Sequence, residues 1–358
     1  VTIYIVTNMY PTVERPSLGA FVKNIHLILE RDFDVEVIKL NSTTGFFSKL
    51  FQYLNFYIKT FKSALFSKQS DVFYLHYPSH TFLPFILISR LKNFKIITHV
   101  HGGDVKLMYG ANKFFFKIKR FIVRKAFSSS LTILVPSTTY LKFLVDEYSL
   151  QPAKVRVSPS GGIDRKNFFR FRDFSERKYD FAYVGRLESN KNLPNIISFF
   201  NRLIIENQDL KILIVGNGTL FPLVAALHLK FKDSCVILEA VSQNQLIDVY
   251  NDIKVLVYPS YSESLGLVPL EALCCGCNVI LSPLDVFTDM LGSFSPFIAK
   301  GFDSDSLYST SSELLKLNVT EVEDEKSKVV DTILKRLDSE RVSQDLTNFF
   351  MSLIYENK

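Results

Sequence analysis

The sequence lacks the features of several protein classes. No apolar run approaches the ~20 residues of a membrane-spanning helix. The chain opens with VTIYIVTN, an apolar strand, instead of a basic region followed by a long apolar segment. Charged residues make up only 22% of the 358 residues and hydrophobic ones 47%, which excludes a disordered chain. We therefore expect a globular protein of two domains in the cytosol.

Cysteine is scarce. Three of the four cysteines surround Gly276, at Cys274, Cys275 and Cys277, and they lack the C-x2-C pairs of a structural zinc site. Since cysteine is among the residues most often buried, the sequence predicts free buried thiols instead of a metal site.

Acidic residues are almost missing between Val37 and Val145. This segment contains sixteen lysines and arginines but only two acids, Asp71 and Asp104, so its net charge is +14. The whole chain carries +6, and the remainder therefore carries −8. This asymmetry predicts that the first domain faces a polyanionic surface. A membrane is favoured over nucleic acid, because no recognition-helix, RRM or zinc-finger pattern accompanies the charge.

Two amphipathic segments carry much of this charge. Within 110–127, cations recur at helical spacing on one stripe, at Lys113, Lys117, Arg120 and Arg124. Apolar residues form a second stripe, at Phe114, Ile118, Phe121 and Ile122. The segment 46–66 repeats the pattern with Lys49, Lys59 and Lys62. The pattern is typical of helices that lie in a membrane interface, although helices that pack their Phe face on a sheet and solvate their lysines would show it too.

Apolar strand-like stretches alternate with helical ones throughout the chain. They lie at 1–7, 35–40, 72–76, 95–100, 132–136 and within 155–164 in the first half, and at 179–184, 211–215, 236–238, 254–258 and 278–281 in the second. This alternation predicts the α/β class, with two doubly wound Rossmann-like parallel sheets. A short strand broken by Pro159 and two glycines places the linker near 155–164, and hence the domains at 1–157 and 158–339.

The most informative stretch, residues 258 to 279, reads YPSYSESLGLVPLEALCCGCNV. An apolar strand ends there, a polar loop follows, and Pro269 suits the first turn of a helix. The backbone N–H groups of Gly266, Leu267 and Val268 lie near this helix start, where donors are unpaired and the dipole is positive. An anion should therefore bind there.

Two carboxylates, Glu263 and Glu271, bracket this predicted anion site. A carboxylate repels phosphate, so each is better suited to accept hydrogen bonds from neutral hydroxyls, such as those of a ribose and a hexose. Two ordinary roles remain equally open from these residues alone: Glu263 as a helix cap and Glu271 as a solvated acid in the first turns.

Other candidates follow strands at their carboxyl ends, where ligands of open parallel sheets collect. Arg186 and Lys191 follow the strand 179–184, and two cations suit a diphosphate, although from these residues alone an ordinary solvated loop is the better explanation. The strand 95–100 runs into HVHGGD, and a lone histidine such as His101 is more often packed or at the surface. Gly19 precedes the first helix, where a glycine is needed either for the turn alone or to let the backbone approach a ligand.

The stretch SESLGLVPLEAL followed by CGC resembles the E-x7-E signature of family-four retaining glycosyltransferases, which have the GT-B fold. Three further segments are similar to motifs of that family: YP…PSLGAFV, HGGD and GRLxxxK. Some positions depart from the family pattern, with Ala20 in place of a second glycine, Ser160 in place of an asparagine and Asn192 in place of a glycine.

The resemblance implies a role for each candidate residue. Glu263 contacts the donor sugar and Glu271 holds the ribose of the nucleotide. The diphosphate is bound by Arg186, Lys191 and the amides of Gly266 and Leu267, and the loop at Gly19 closes over the donor phosphates. His101 faces the sugar and the reacting centre, and Asp104 is its expected orienting partner.

The resemblance also implies the activity. A sugar would pass from a UDP- or GDP-linked donor to an acceptor hydroxyl in a cleft between the domains, without a metal or other cofactor, and a C-terminal helix, about 340–358, would cross back to the first domain. The DSD sequence at Asp303 is expected to be a surface loop. Together with the charge, this predicts a lipid-linked saccharide acceptor in bacterial capsule, O-antigen or exopolysaccharide synthesis, at the inner face of the plasma membrane. A GT-B epimerase or hydrolase, or a non-catalytic interaction protein, remains the alternative.

Overall fold

The computed structural model describes residues 1–12, 18–41, 45–89, 92–107, 109–292 and 297–355. The chain divides into two compact units. The first comprises Val1–Leu107, Ala111–Gly162 and Glu340–Lys358, and the second comprises Met108–Gly110 and Ile163–Ser339.

The first unit contains a six-stranded parallel sheet. Its strands are β1 (Thr2–Thr7), β2 (Asp34–Lys39), β3 (Val72–His76), β4 (Lys95–His99), β5 (Thr132–Val135) and β6 (Val155–Val157), in the order β2-β1-β3-β4-β5-β6. The central strands are apolar runs buried on both faces, as in other parallel sheets covered by helices. The predicted strands are therefore confirmed.

Helices cover both faces of this sheet. They are α1 (Ala20–Leu29), α2 (Phe46–Phe66), α3 (Pro78–Thr81), α4 (Leu83–Ile88), α5 (Lys113–Ser129), α6 (Thr138–Tyr148) and α14 (Ser339–Tyr355). Val72 and Tyr74 of β3 share a core cluster with α1 and α14. Phe73 and Leu75 share another with α2, α4 and α5. Because successive side chains of a strand point to opposite faces of the sheet, α2 and α5 lie in the same layer of helices.

The second unit is a five-stranded parallel sheet of order β11-β10-β7-β8-β9. Its strands are β7 (Tyr179–Val184), β8 (Ile212–Val215), β9 (Cys235–Leu238), β10 (Ile253–Tyr258) and β11 (Asn278–Leu281). Its helices are α7 (Leu193–Glu206), α8 (Phe221–Lys230), α9 (Gln243–Asn251), α10 (Leu267–Cys274), α11 (Asp285–Leu291), α12 (Ser304–Lys316) and α13 (Val319–Leu337). The strand order reverses between β7 and β10, and ligands of open α/β sheets bind at such a point.

The four cysteines are free and buried, as predicted. Burial raises the pKa of Cys274 to about 12 and that of Cys277 to about 11, so both remain neutral thiols near pH 7. Arg177 lies against them and donates to the carbonyl of Cys275 at 2.7 Å. This cysteine group is therefore part of the core.

The amphipathic helices expose their apolar stripes. In α5, Phe114, Ile118 and Phe121 are 67%, 46% and 59% exposed, and the helix packs on the unit through Val123, Ala126 and Phe127. In α2 the exposed stripe consists of Phe47, Phe51, Leu54, Ile58, Phe61 and Leu65. Ile122, the fourth residue of the α5 stripe, packs against the core cluster of the first sheet. The packing alternative is therefore wrong for the exposed residues of the stripes and right for Ile122. Among the described residues, no helix combines the length and the hydropathy needed to cross a bilayer.

Candidate active site

Lys191 and Glu263 meet where the strand order of the second unit reverses. Lys191 follows β7 and Glu263 follows β10, and the two side chains form an ion pair with both groups nearly buried. The Lys191 ammonium also donates to the hydroxyl of Tyr258 at 2.9 Å. The structure thus joins two predicted donor-site residues from distant parts of the sequence, and it supports neither a solvated loop for Lys191 nor a helix cap for Glu263.

The turn that carries Lys191 ends at Asn192, whose φ is 62°. Asparagine adopts this left-handed conformation more readily than other non-glycine residues do. Its side-chain amide also donates to the carbonyl of Phe302 at 2.6 Å. Asn192 can therefore occupy the position at which the family more often has glycine.

Arg186 lies on the loop between β7 and Lys191, and its side chain is exposed. Among the described residues, its guanidinium has no hydrogen-bond or ion-pair partner. The neighbouring turn after β8 packs closely against this loop, because a Cβ on Gly216 would lie 1.9 Å from the carbonyl oxygen of Gly185. Gly216 thus lets the two loops come together. The exposed guanidinium of Arg186 is available to contact a ligand.

Gly266 forms the N-cap of α10. Its φ of 76° and the Phe287 ring, 2.5 Å from an ideal Cβ, both require glycine. The helix then starts at Leu267, as predicted, and its first N–H groups lie where an α-helix has no internal acceptor. An anion could bind at this end of α10.

Glu271 is buried in α10 and accepts a hydrogen bond from the Tyr250 hydroxyl at 3.1 Å. It is therefore not a solvated acid. Burial raises the pKa of Glu271 to about 7, and the Tyr250 hydrogen bond opposes this rise. A carboxyl group with this pKa can accept hydrogen bonds from ligand hydroxyls when it is ionised.

His101 lies in the first unit, at the carboxyl end of β4. Its ring contacts those of Phe21 and Tyr77, with centroids 4.5 and 4.8 Å away. Its Nε2 lies 2.9 Å from Nδ1 of His76 at the end of β3. Burial lowers the pKa of His101 well below its usual value, and the nearby His99 and His76 lower it further. The imidazole is therefore neutral near pH 7.

Asp104 does not orient the His101 ring, contrary to expectation. Its carboxylate accepts hydrogen bonds from the backbone N–H groups of Gly102, at 2.8 Å, and His101, at 3.2 Å. The carboxylate therefore fixes the conformation of the HGGD turn. Sequence reasoning missed His76, the ring's actual partner, because two residues 25 apart in the chain meet only through the pairing of β3 with β4.

His76, His99 and His101 offer ligand nitrogens within 4.8 Å of one another, and so could be considered for a metal ion. Both nitrogens of His99 are engaged, Nδ1 with the Tyr74 hydroxyl at 2.7 Å and Nε2 with the Ser158 carbonyl at 3.1 Å. The group is therefore arranged as a hydrogen-bonded cluster, and His99 would have to give up a partner to bind a metal.

The remaining candidates lie on turns and helix surfaces. Gly19 is the N-cap of α1 with a φ of 69°, and a Cβ there would lie 2.5 Å from the Met9 carbonyl oxygen, so the turn itself requires glycine. Residues 13–17 of the predicted phosphate loop lie outside the described residues. Asp303 caps α12 by accepting from the Ser306 N–H at 2.8 Å, and Asp305 lies in the first turn of that helix. The DSD sequence is therefore at the surface, as expected, but it begins a helix instead of forming a loop.

The four predicted membrane cations of α5 differ in their surroundings. Lys113, Lys117 and Arg124 are exposed. Arg120 forms an ion pair of 2.7 Å with Glu147 of α6, so its charge is largely compensated.

Two family models, both of glycosyltransferases, together match residues 3–328 of the chain. The family model described as Glycosyltransferase Family 4 matches residues 3–164, and the one described as Glycosyl transferases group 1 matches residues 164–328. The O-antigen chain mannosyltransferase RfbU of Salmonella typhimurium is 26% identical over 208 residues, 57% of this chain and 56% of that protein. The N-acetylgalactosamine-N,N'-diacetylbacillosaminyl-diphospho-undecaprenol 4-alpha-N-acetylgalactosaminyltransferase of Campylobacter jejuni is 24% identical, over 55% of this chain and 56% of that protein. The matches thus span little more than half the length of these relatives.

Among solved structures, Anabaena HepE in complex with UDP and glucose superposes with a TM-score of 0.72 at 14% identity, over 98% of this chain and 100% of that one. This likeness concerns the fold, which agrees with the two parallel sheets described above. The paired carboxylates around the α10 start, the matched family models and the two Rossmann-like units agree, and the chain belongs to the family-four glycosyltransferases of the GT-B fold.

Proposed function

We propose that this protein is a retaining glycosyltransferase that moves a sugar from a UDP- or GDP-linked donor to an acceptor hydroxyl. The observation that carries the proposal is the convergence of Lys191, Glu263 and the start of α10 at the point where the second sheet reverses its strand order. A cation, a carboxylate and a helix N-terminus together suit the two halves of a sugar diphosphate.

The chemical task is to stabilise the charge that develops on the departing diphosphate. Arg186, Lys191 and the amides at Gly266 and Leu267 would provide this stabilisation without a metal, because they combine two cations with a helix dipole. Lys191 is already paired with Glu263, so the diphosphate would share its ammonium. The Glu263 carboxylate would then accept hydrogen bonds from the sugar hydroxyls.

In the proposed reaction the bond between the sugar C1 and the diphosphate oxygen breaks, and the acceptor oxygen bonds to C1 on the same face. The acceptor proton passes to the departing phosphate oxygen, so no enzymic nucleophile is needed. Glu271 would hold the ribose, and His101 would contact the sugar.

We further propose that the acceptor is a lipid-linked saccharide of bacterial surface polysaccharide synthesis and that the protein binds the inner face of the plasma membrane. The names of the two relatives support this, since one makes O-antigen and the other acts on a diphospho-undecaprenol saccharide. The exposed apolar stripes of α2 and α5 in one layer, with Lys113, Lys117 and Arg124 beside them, suit an anionic lipid surface.

Thermal-shift screening against UDP, GDP and ADP, followed by sugar variants of the best ligand, tests the donor site. Glu271→Ala is expected to abolish the nucleotide-induced shift, and His101→Ala to keep most of it while suppressing turnover. The reverse pattern would show that these two roles are exchanged. Nucleotide release that depends on an acceptor identifies transfer, whereas release without an acceptor would show a hydrolase and overturn the proposal.

A further inference from the structure

A chain of hydrogen bonds at the ends of β3 and β4 fixes the protonation of His99. The Ser158 carbonyl, 3.1 Å from His99 Nε2, can only accept a hydrogen bond, so this nitrogen carries the proton. Burial lowers the pKa of His99 to about 3, and the ring is neutral. Its Nδ1 therefore accepts from the Tyr74 hydroxyl at 2.7 Å.

The hydrogen bond between His76 and His101 has two possible directions. Nδ1 of His76 and Nε2 of His101 are 2.9 Å apart, and the two rings are within 6° of parallel. Burial lowers the pKa of both histidines well below the usual value, so two neutral imidazoles share one proton along this line. Either His76 donates through Nδ1–H, or His101 donates through Nε2–H.

The surroundings of the other His76 nitrogen, Nε2, show which of the two histidines is the donor. His76 is fully buried, and its Nε2 has no hydrogen-bond partner among the described residues. If His101 were the donor, His76 would carry its proton on Nε2, as a buried N–H without an acceptor. Orphaned buried N–H groups are the rarer and costlier case, so the proton belongs on Nδ1 and points at His101.

We propose that His76 is a positioning residue that holds His101 in its Nδ1–H tautomer, so that the free nitrogen of His101 donates a hydrogen bond to a substrate oxygen. The rings of Phe21 and Tyr77 limit the rotation of the imidazole. The proposal rests on the proposed function only for the identity of that oxygen, which is a hydroxyl of the donor sugar.

In this tautomer His101 can donate a hydrogen bond to the substrate but cannot act as a general base. Its Nδ1–H recognises an oxygen lone pair, whereas its Nε2 lone pair is occupied by the His76 proton. His101 therefore does not serve as the general base that deprotonates the acceptor. This agrees with a proton transfer to the departing phosphate oxygen.

The tautomer can be read without any activity assay. Two-bond ¹H–¹⁵N correlation spectra of the ¹⁵N-histidine-labelled full chain near neutral pH distinguish protonated from unprotonated ring nitrogens, and the signals lost in His101→Gln assign His101. We expect Nδ1 protonated and Nε2 unprotonated. An Nε2–H pattern or an imidazolium ion would overturn the proposal, and so would stoichiometric zinc whose removal by EDTA shifts the histidine signals.

Two variants of His76 distinguish the loss of its hydrogen-bond donor from the loss of its side-chain volume. The Asn side chain places its amide nitrogen near the position of His Nδ1, so His76→Asn keeps a donor, whereas His76→Leu removes it. We expect that His101 adopts the Nε2–H tautomer in His76→Leu. This variant should also lower kcat about tenfold, the effect of one lost hydrogen bond, and change the KM for the donor by no more than about twofold. His76→Asn should retain the tautomer and most of the turnover.

His80→Asn is the matched control, because His80 is a half-buried histidine of the same unit whose ring is hydrogen-bonded only to Ser79 among the described residues. It should change neither the His101 signals nor kcat. Equal losses in His76→Leu and His76→Asn with an unchanged tautomer would overturn the proposal. If the protein had no transferase activity, the spectra would still decide the tautomer, so the two failures are distinguishable.

Discussion

Lys191 and Glu263 form a nearly buried ion pair although 72 positions separate them in the sequence. The pair links the loop after β7 to the loop after β10, and Tyr258 at the end of β10 accepts a further hydrogen bond from the lysine. This contact therefore joins the proposed donor site to the centre of the second sheet.

Removing one member of this pair is expected to destabilise the protein. Lys191→Met leaves the Glu263 carboxylate buried without its cation, and Glu263→Gln leaves the ammonium without its carboxylate, so each should lower the free energy of unfolding by about 3 kcal/mol. The double variant should lose clearly less than the sum, with a coupling of at least about 1 kcal/mol by urea unfolding. The exposed pair Arg202–Glu206 is the control and should show little coupling. Additive losses at Lys191 and Glu263 would show that the pair does not form.

Nucleotide binding should depend on the ionisation of Glu271. Its pKa of about 7 means that the carboxylate, the better acceptor for ribose hydroxyls, becomes the main form only above that pH. Affinity for the preferred nucleotide should therefore rise roughly tenfold between pH 6 and pH 8. Glu271→Gln removes this increment, and the difference between the two pH profiles by calorimetry isolates it from phosphate ionisation. Identical profiles would contradict the assignment.

The same shift has a defined sign for stability. The pKa of Glu271 is raised above its unfolded value of 4.5, so the native state holds more protons than the unfolded state between these two values. Its contribution to the free energy of unfolding is therefore greatest below pH 4.5 and is lost as pH rises towards 7. Chemical unfolding of Glu271→Gln should lack this decline.

Membrane binding should depend on the exposed cations of α5. Lys113→Gln, Lys117→Gln and Arg124→Gln together should weaken partitioning onto anionic vesicles about 100-fold, because each charge contributes about 1 kcal/mol. The matched control neutralises three exposed lysines of the second unit, Lys230, Lys232 and Lys316. It should change partitioning little, and equal effects of the two triple variants would contradict a specific surface on α5.

The apolar stripes can be tested apart from the charge. Phe47→Ser and Phe51→Ser in α2 replace side chains that are 82% and 67% exposed, so the fold should keep its stability while binding to vesicles weakens. Unchanged partitioning would show that α2 does not insert.

Much of the architecture is predictable from local patterns. The apolar runs that became β3, β7 and β11 are buried strands, because a parallel sheet covered on both faces needs continuous hydrophobic residues. The start of α10 follows from Gly266 and Pro269, whose backbone preferences act within one turn. Exposure of the Phe stripes was not predictable, since helical spacing reports which residues share a face and not what covers that face.

The partners of the site residues depended on tertiary structure. Local sequence patterns predict the two Rossmann-like units, the helix start between Glu263 and Glu271, and the placement of candidates at strand ends, because these follow from short-range backbone and side-chain preferences. Only the tertiary fold pairs the side chains of the site: Lys191 with Glu263, Glu271 with Tyr250, and His101 with His76. It also shows that Asp104 accepts hydrogen bonds from backbone N–H groups and not from the His101 ring. Each pair joins residues more than 20 positions apart, and contacts at that range arise from strand order and burial, which no local pattern records.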